Sequence, residues 1–220
     1  MQVEDVHVWV EPSLAESFPG ISVLAFRLGG LDLSRGSGRI EQLIDEVVDE
    51  VRRSYSLETL KDVPIFRAYR DFFWRIGIDP TKMRPSSEAL VRRILLGRGF
   101  PRINPLVDLY NLASAKTGVT MAAYDDSKVF GQLSLTWSRR GERFRGIGME
   151  KEIVLEGREV VLRDEAAVLS IYPYRDSEHS KTDSSTKSAI IVVCGVPGVA
   201  QSTLAEAKET VLKYVGAVLG

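Results

Sequence analysis

Side chains able to do covalent or metal chemistry are scarce in this sequence. Its 220 residues include two histidines, His7 and His179, and one cysteine, Cys194. That is too little imidazole and thiolate for a zinc site. A single cysteine forms no internal disulfide, which fits a reducing, cytoplasmic compartment. No G-x-S-x-G elbow accompanies either histidine, so a Ser-His-Asp triad is not expected. Cys194 lies in an apolar run and reads as an inert core residue. No G-x-x-x-x-G-K-S/T loop is present, and Gly36-Ser37-Gly38 and Gly146-Ile147-Gly148 lack the third glycine of a dinucleotide fingerprint. Redox, zinc and nucleotide chemistry are set aside, and neither cofactor nor metal is expected.

Polar residues at element junctions remain. Asn104, Asp108 and Asn111 are spaced i, i+4, i+7, which puts them on one stripe of a helix. Asp176-Ser177-Glu178-His179-Ser180 lies between two apolar runs. In an extended chain Glu178 and Ser180 point one way, Ser177 and His179 the other. Together the two sets could form a pocket whose carboxylate and amide hold an ammonium or hydroxyl group. Taken singly they have plainer readings: Asn104 as a helix cap, and residues 176–187 as a hydrated connection.

The elements that must position these groups are legible in part. Strands are expected at Val3–Val10 and Ile21–Leu28 around a Pro19-Gly20 turn. A Gly/Ser/Arg loop, Ser34 to Gly38, precedes an amphipathic helix from Ile40 to Tyr55. Pro64 opens the next helix and Gly77 ends it. Ser86 or Ser87 caps a helix that stops at Gly97, and Asn104-Pro105 starts one that ends at Gly118. Beyond Gly118 the apolar period falls to two, with Val129, Leu133, Leu135 and Trp137 on one side of a strand over 128–138. Short strands follow at Ile153–Leu155, Val160–Leu162, Ala167–Tyr172 and Ala189–Val193, then a helix over Val199–Val218. The order predicts one α+β domain over residues 1–220, with an antiparallel-rich sheet packed against helices.

Composition agrees: 44% hydrophobic and 27% charged residues describe an ordinary globular chain. No apolar run is long enough for a membrane span, and the acidic, strand-like MQVEDVHVWVE is not a signal peptide. The net charge of -1 argues against indiscriminate nucleic-acid binding, but its distribution is uneven. Residues 40–62 hold seven acids against three bases, whereas 67–102 hold nine bases against three acids, with Phe66, Tyr69, Phe72, Phe73 and Trp74 nearby. Such a segment could hold a phosphate backbone or be a solvated helix face.

Within residues 84–195 lies the chemistry-bearing core, and there a resemblance emerges. Asn104 to Asn111 fits N-x-V/L-V-D-x-x-N, Gly118 to Asp125 fits a Gly-x-x-Met-x-Ala-Tyr/Phe-Asp turn, and Val129 to Gly131 fits an I-x-G triplet. These resemble the B3/B4 domain of the bacterial phenylalanyl-tRNA synthetase β subunit. Arg84 to Leu90 (RPSSEAL) and Phe18 to Gly20 (FPG) resemble free-standing members of that family. Ser177-Glu178-His179-Ser180 with Thr186 is similar to its Gly-Glu-His-Ser…Thr stretch.

The resemblance implies a domain that binds the aminoacyl acceptor end of tRNA and hydrolyses wrongly charged aminoacyl-tRNA, as the synthetase removes tyrosine from its phenylalanine tRNA. By it, Asn111 matches the pocket asparagine and Glu178 the glutamate that recognises the tyrosine hydroxyl. Ala122 stands where the family has a pocket histidine, and Tyr110 where it often has threonine. Asn111 and Glu178 are thus the expected catalytic residues, and Asn104, Asp108, Tyr110, Ala122, Asp125 and Thr186 the expected substrate contacts. Arg84, Arg92, Arg93, Arg98 and Arg102 are the expected RNA contacts. An activated ester needs only a positioned water and a stabilised oxyanion, without a side-chain nucleophile. The leading expectation is a hydrolase of misacylated tRNA acting in trans. Its alternatives are a non-catalytic module binding tRNA or an aminoacyl-tRNA synthetase, and a metabolite-binding protein that reuses the pocket.

Overall fold

Prolines and glycines punctuate this chain and set most of its helix boundaries. A computed structural model describes residues 1–34 and 37–220. The first half runs β1 (Gln2–Val6), β2 (Val8–Val10), α1 (Pro12–Ser17), β3 (Ser22–Gly29), α2 (Ser37–Ser54), α3 (Pro64–Arg75), α4 (Ser86–Leu95) and α5 (Pro105–Thr117). The second half is strand-rich: β4 (Met121–Asp125), β5 (Leu133–Trp137), β6 (Arg143–Phe144), β7 (Ile153–Val154), β8 (Val160–Arg163), β9 (Val168–Ile171), β10 (Arg175–Asp176) and β11 (Ser188–Gly195). Helix α6 (Gln201–Leu219) closes the order. No helix of the described residues is long and apolar enough to cross a membrane.

Two main sheets result. One is antiparallel throughout, in the order β1-β3-β11-β4. The other runs β10-β9-β8-β5-β2 and is antiparallel except where β2 lies parallel to β5. Helix α6 packs on β3 and β11, and α5 packs on α6, α2 and α4. One large apolar cluster spans these layers; a small satellite of Phe144, Leu155, Val161, Val168 and Ile171 lies beneath the β6–β7 hairpin. Tyr172 ties the sheets together, its hydroxyl donating to the carbonyls of Ser22 (3.1 Å) and Gly195 (2.9 Å). The architecture is α+β, with antiparallel-rich sheets against helices, as the sequence predicts.

Several local expectations are revised. The strand expected over Val3–Val10 divides at His7, and its halves join different sheets. The Pro19-Gly20 turn connects α1, not a strand, to β3; Pro12 at the first turn starts that extra helix. Residues 121–125, read above as a turn, form β4; all five side chains are buried, so no alternation betrays the strand. The expected strand over 128–138 begins only at Leu133, because Asp126–Lys128 is a helical turn and Gly131 has φ +69°. A Cβ at Gly131 would lie 2.2 Å from the Glu165 carboxyl carbon. Of the expected Ser34–Gly38 loop, Arg35 and Gly36 lie outside the described residues, and Ser37 already opens α2.

Candidate functional site

Helix α5 is built as its sequence dictates. The Asn104 side chain accepts from the Val107 amide (3.0 Å), Pro105 occupies the first turn, and Gly118 closes the helix at φ +74°. The expected polar stripe then divides by function. Asn104 is the cap, and its amide also donates to Thr182 Oγ1 (3.4 Å). Asp108 is buried, accepting from Arg102 Nε (2.8 Å) and from the Ile103 amide (2.8 Å). Only Asn111 of the three turns toward a cavity.

That cavity measures about 120 Å³ and lies where α4, α5, β4, the β9–β10 corner and the end of β11 converge. Tyr110, Asn111 and Ala122 line it, as do Ser86, Thr120 and Asp176. Cys194, Met121 and Tyr174 complete the part of the wall that matters here. The carboxylate has a fixed orientation: Tyr124, fully buried on β4, donates its hydroxyl to Asp176 Oδ1 (2.9 Å). Burial pushes the Asp176 carboxyl up to about 6, against the opposing pull of the Tyr124 hydrogen bond and the Arg175 charge. Cys194 is driven the same way, since burial first and the Asp176 charge second hold its thiol well above the ordinary range. It is no thiolate nucleophile.

Outside the cavity runs an open groove of about 590 Å³ along α4. Arg84, Arg92, Arg93 and Arg98 line it, with the exposed apolar side chains of Met83, Leu96 and Ile103 between them. Ser86 and Asn111 border both spaces, so groove and cavity adjoin at those two residues. Arg102, expected to join this basic set, is instead tied to Glu41 and to buried Asp108. Neither Ser86 nor Ser87 caps α4 through its side chain; the cap position is Pro85, and Ser87 shares a hydrogen bond with Thr120 (3.3 Å).

Glu178 is elsewhere. It lines a separate cavity of about 460 Å³ with Arg145, Ser177 and His179, and it pairs with Lys181, whose hydrogen bond holds the carboxyl below its usual range. The structure therefore does not bring Glu178 into the cavity of Asn111. The reason is local: β10 ends at Asp176, so the alternation assumed for 176–180 stops there. Asp125 and Thr186 also lie outside. Thr186 donates to Asp125 Oδ2 (2.7 Å), and Ser127 donates to Oδ1 through its amide (3.0 Å) and hydroxyl (2.6 Å), which pins the 181–187 loop to the end of β4. Asp176 was present in the polar run of the sequence; its partner Tyr124 was hidden in the unrecognised strand.

Comparison with known proteins follows the same residues. The model of the family described as the B3/4 domain matches residues 68–210. The phenylalanine–tRNA ligase β subunit of Nocardia farcinica is 33% identical over 95 residues, which cover 43% of this chain and 11% of that protein. Its counterpart in Corynebacterium jeikeium is 27% identical over 114 residues, 52% of this chain and 13% of that protein. The chain thus spans a small fraction of the length of these relatives. Among solved structures, an N-terminal fragment of the phenylalanyl-tRNA synthetase β subunit from Pyrococcus horikoshii matches with a TM-score of 0.46 at 15% identity, covering 88% of this chain and 74% of the fragment.

Proposed function

Because this chain belongs to the B3/4 domain family, we propose that it is a hydrolase of misacylated tRNA, working in trans on the ester at the acceptor end. The observation that carries this reading is the shared border at Ser86 and Asn111 between a four-arginine groove and a small cavity of mixed polar and apolar lining. A charged RNA end suits the first space, and an amino acid suits the second. The related proteins are named as ligases of phenylalanine and tRNA, which agrees with an aminoacyl-tRNA ligand.

In this reading the ester carbonyl rests at Asn111, whose amide orients it. Asp176, ionised at neutral pH, accepts the α-ammonium. Ester hydrolysis then requires a water held against the carbonyl carbon and donors for the developing oxyanion. Asp176, and not the expected Glu178, supplies the carboxylate in this reading, since it lines the cavity of Asn111 whereas Glu178 lines another. Removing one such orienting contact costs roughly 1–3 kcal/mol in the transition state, about ten- to a hundred-fold in rate.

The test is single-turnover deacylation across a panel of charged tRNAs. Asn111→Ala and Asp176→Asn should slow clearance of the preferred ester, while Glu178→Ala, His179→Ala and Cys194→Ser should retain it. Retention of tRNA binding with no ester cleared would leave a non-catalytic module that binds tRNA or a synthetase. Loss confined to the histidine or cysteine variant would defeat the oriented-water mechanism.

A further inference from the structure

We infer that the cavity admits only small aminoacyl groups, of glycyl, alanyl or seryl size, and excludes aromatic ones; this rests on the aminoacyl-ester reading above. Size is the first argument. At about 120 Å³ the space is smaller than the roughly 150 Å³ of an apolar cavity that accommodates benzene. A phenol or phenyl ring would take up most of it, leaving no room for the α-carbon, ammonium and carbonyl that must enter with the ring.

Rigidity is the second argument. Tyr110 and Met121 are buried in the wall and belong to the main core. Behind them Tyr124 is fixed by its bond to Asp176 (2.9 Å), and Cys194 sits on β11 between two hydrogen-bonded neighbours. Interiors packed this way do not open by a ring's width without displacing strands.

Polarity is the third. Ser86, Thr120, Asn111 and Asp176 face a space that also meets Ala122 and Pro173. The desolvated carboxylate gains most from a cation brought close, so the α-ammonium seats at Asp176. The room left over takes a hydrogen, a methyl or a hydroxymethyl group. Ala122 contributes little bulk and is itself buried, so the large neighbours Tyr110 and Met121 set the limit.

The experiment uses the intact chain and two readouts. Calorimetry measures binding of stable 3′-aminoacylamido-3′-deoxyadenosines carrying glycine, alanine, serine, phenylalanine or tyrosine. Single-turnover assays follow the corresponding aminoacyl-tRNAs. The small amides should bind about ten-fold or more tightly than the aromatic ones, with the same ranking in ester clearance. Met121→Ala should narrow that gap by enlarging the space, checked for folding by near-ultraviolet circular dichroism. Aromatic amides bound as well as small ones would overturn the size selection, yet clearance of their esters would leave the hydrolase reading intact. Preference for small amides with no ester cleared would uphold the selection and remove the catalytic reading. If no amide binds, the selection falls, and the hydrolase reading stands or falls on the esters.

Discussion

Asp176 bears opposite burdens in stability and in function. Its folded pKa, near 6, lies above that of an ordinary aspartate because of burial. The native state therefore holds the proton more tightly than the unfolded chain does. Stability falls as pH rises from the ordinary carboxylate range through about 6, and the penalty is fully present at neutral pH. Asp176→Asn, which keeps an acceptor for Tyr124, should raise neutral-pH stability by about 1–2 kcal/mol once residual exposure is allowed for. Deacylation by the native protein should rise through the same window as the carboxylate forms, and the variant should lack that acid limb. Denaturant titrations and rate profiles between pH 4 and pH 8 check both. Arg102 sits at the other extreme. It neutralises Asp108, so Arg102→Ala should cost about 1–3 kcal/mol, discounted for the partly exposed guanidinium. It should weaken tRNA affinity less than Arg93→Ala, because Arg93 lines the groove.

At the scale of elements, α5 is the piece that the sequence specifies most fully. Asn104, Pro105 and Gly118 each act where local rules put them, and the helix carries Tyr110 and Asn111 to the cavity. Gly118→Ala should destabilise by about 1–2 kcal/mol for the left-handed backbone alone, and further through contact with Ile65, whose Cγ2 would lie 2.7 Å from the new Cβ. Chemical denaturation measures this directly. The rest of the site was less legible, for physical reasons. Strand β4 is buried on both faces and rich in alanine, so neither period nor propensity marked it. The break after Asp176 depends on contacts remote in sequence, such as the bridge between Gly146 and Ser177. Helix spacing could align Asn104, Asp108 and Asn111, but could not say that Arg102 would claim the middle one.

For the whole molecule, the uneven charge of residues 67–102 resolves into a surface and a frame. Arg70 is bound to buried Glu88 (3.0 Å), and Arg102 to Asp108 (2.8 Å). The arginines lining the groove are Arg84, Arg92, Arg93 and Arg98, of which Arg84 also lies 3.8 Å from Glu88. If all of them meet phosphates of a single-stranded acceptor end, the slope of log affinity against log salt should be near −3, and Arg93→Ala should make it shallower by about 0.7. Filter-binding titrations between low and physiological salt measure both values. A flat dependence would remove RNA from the groove.

The position of β11 has a consequence for how the chain is made. Its strand partners β3 and β4 are translated long before it, Val23 pairing with Cys194 and Met121 with Val193. At 5–20 residues per second, roughly 10–30 s separate the synthesis of β3 from that of β11. Throughout that interval the inner edge of β3 lacks its neighbour, and from its own synthesis onward so does the edge of β4. A nascent chain arrested before residue 188 should remain open to protease along Ser22–Gly29, and one extended past α6 should close slowly, as distant pairings do. A protein proposed to guard the accuracy of translation would thus gain a central strand of this sheet only after every other strand of the sheet has been made.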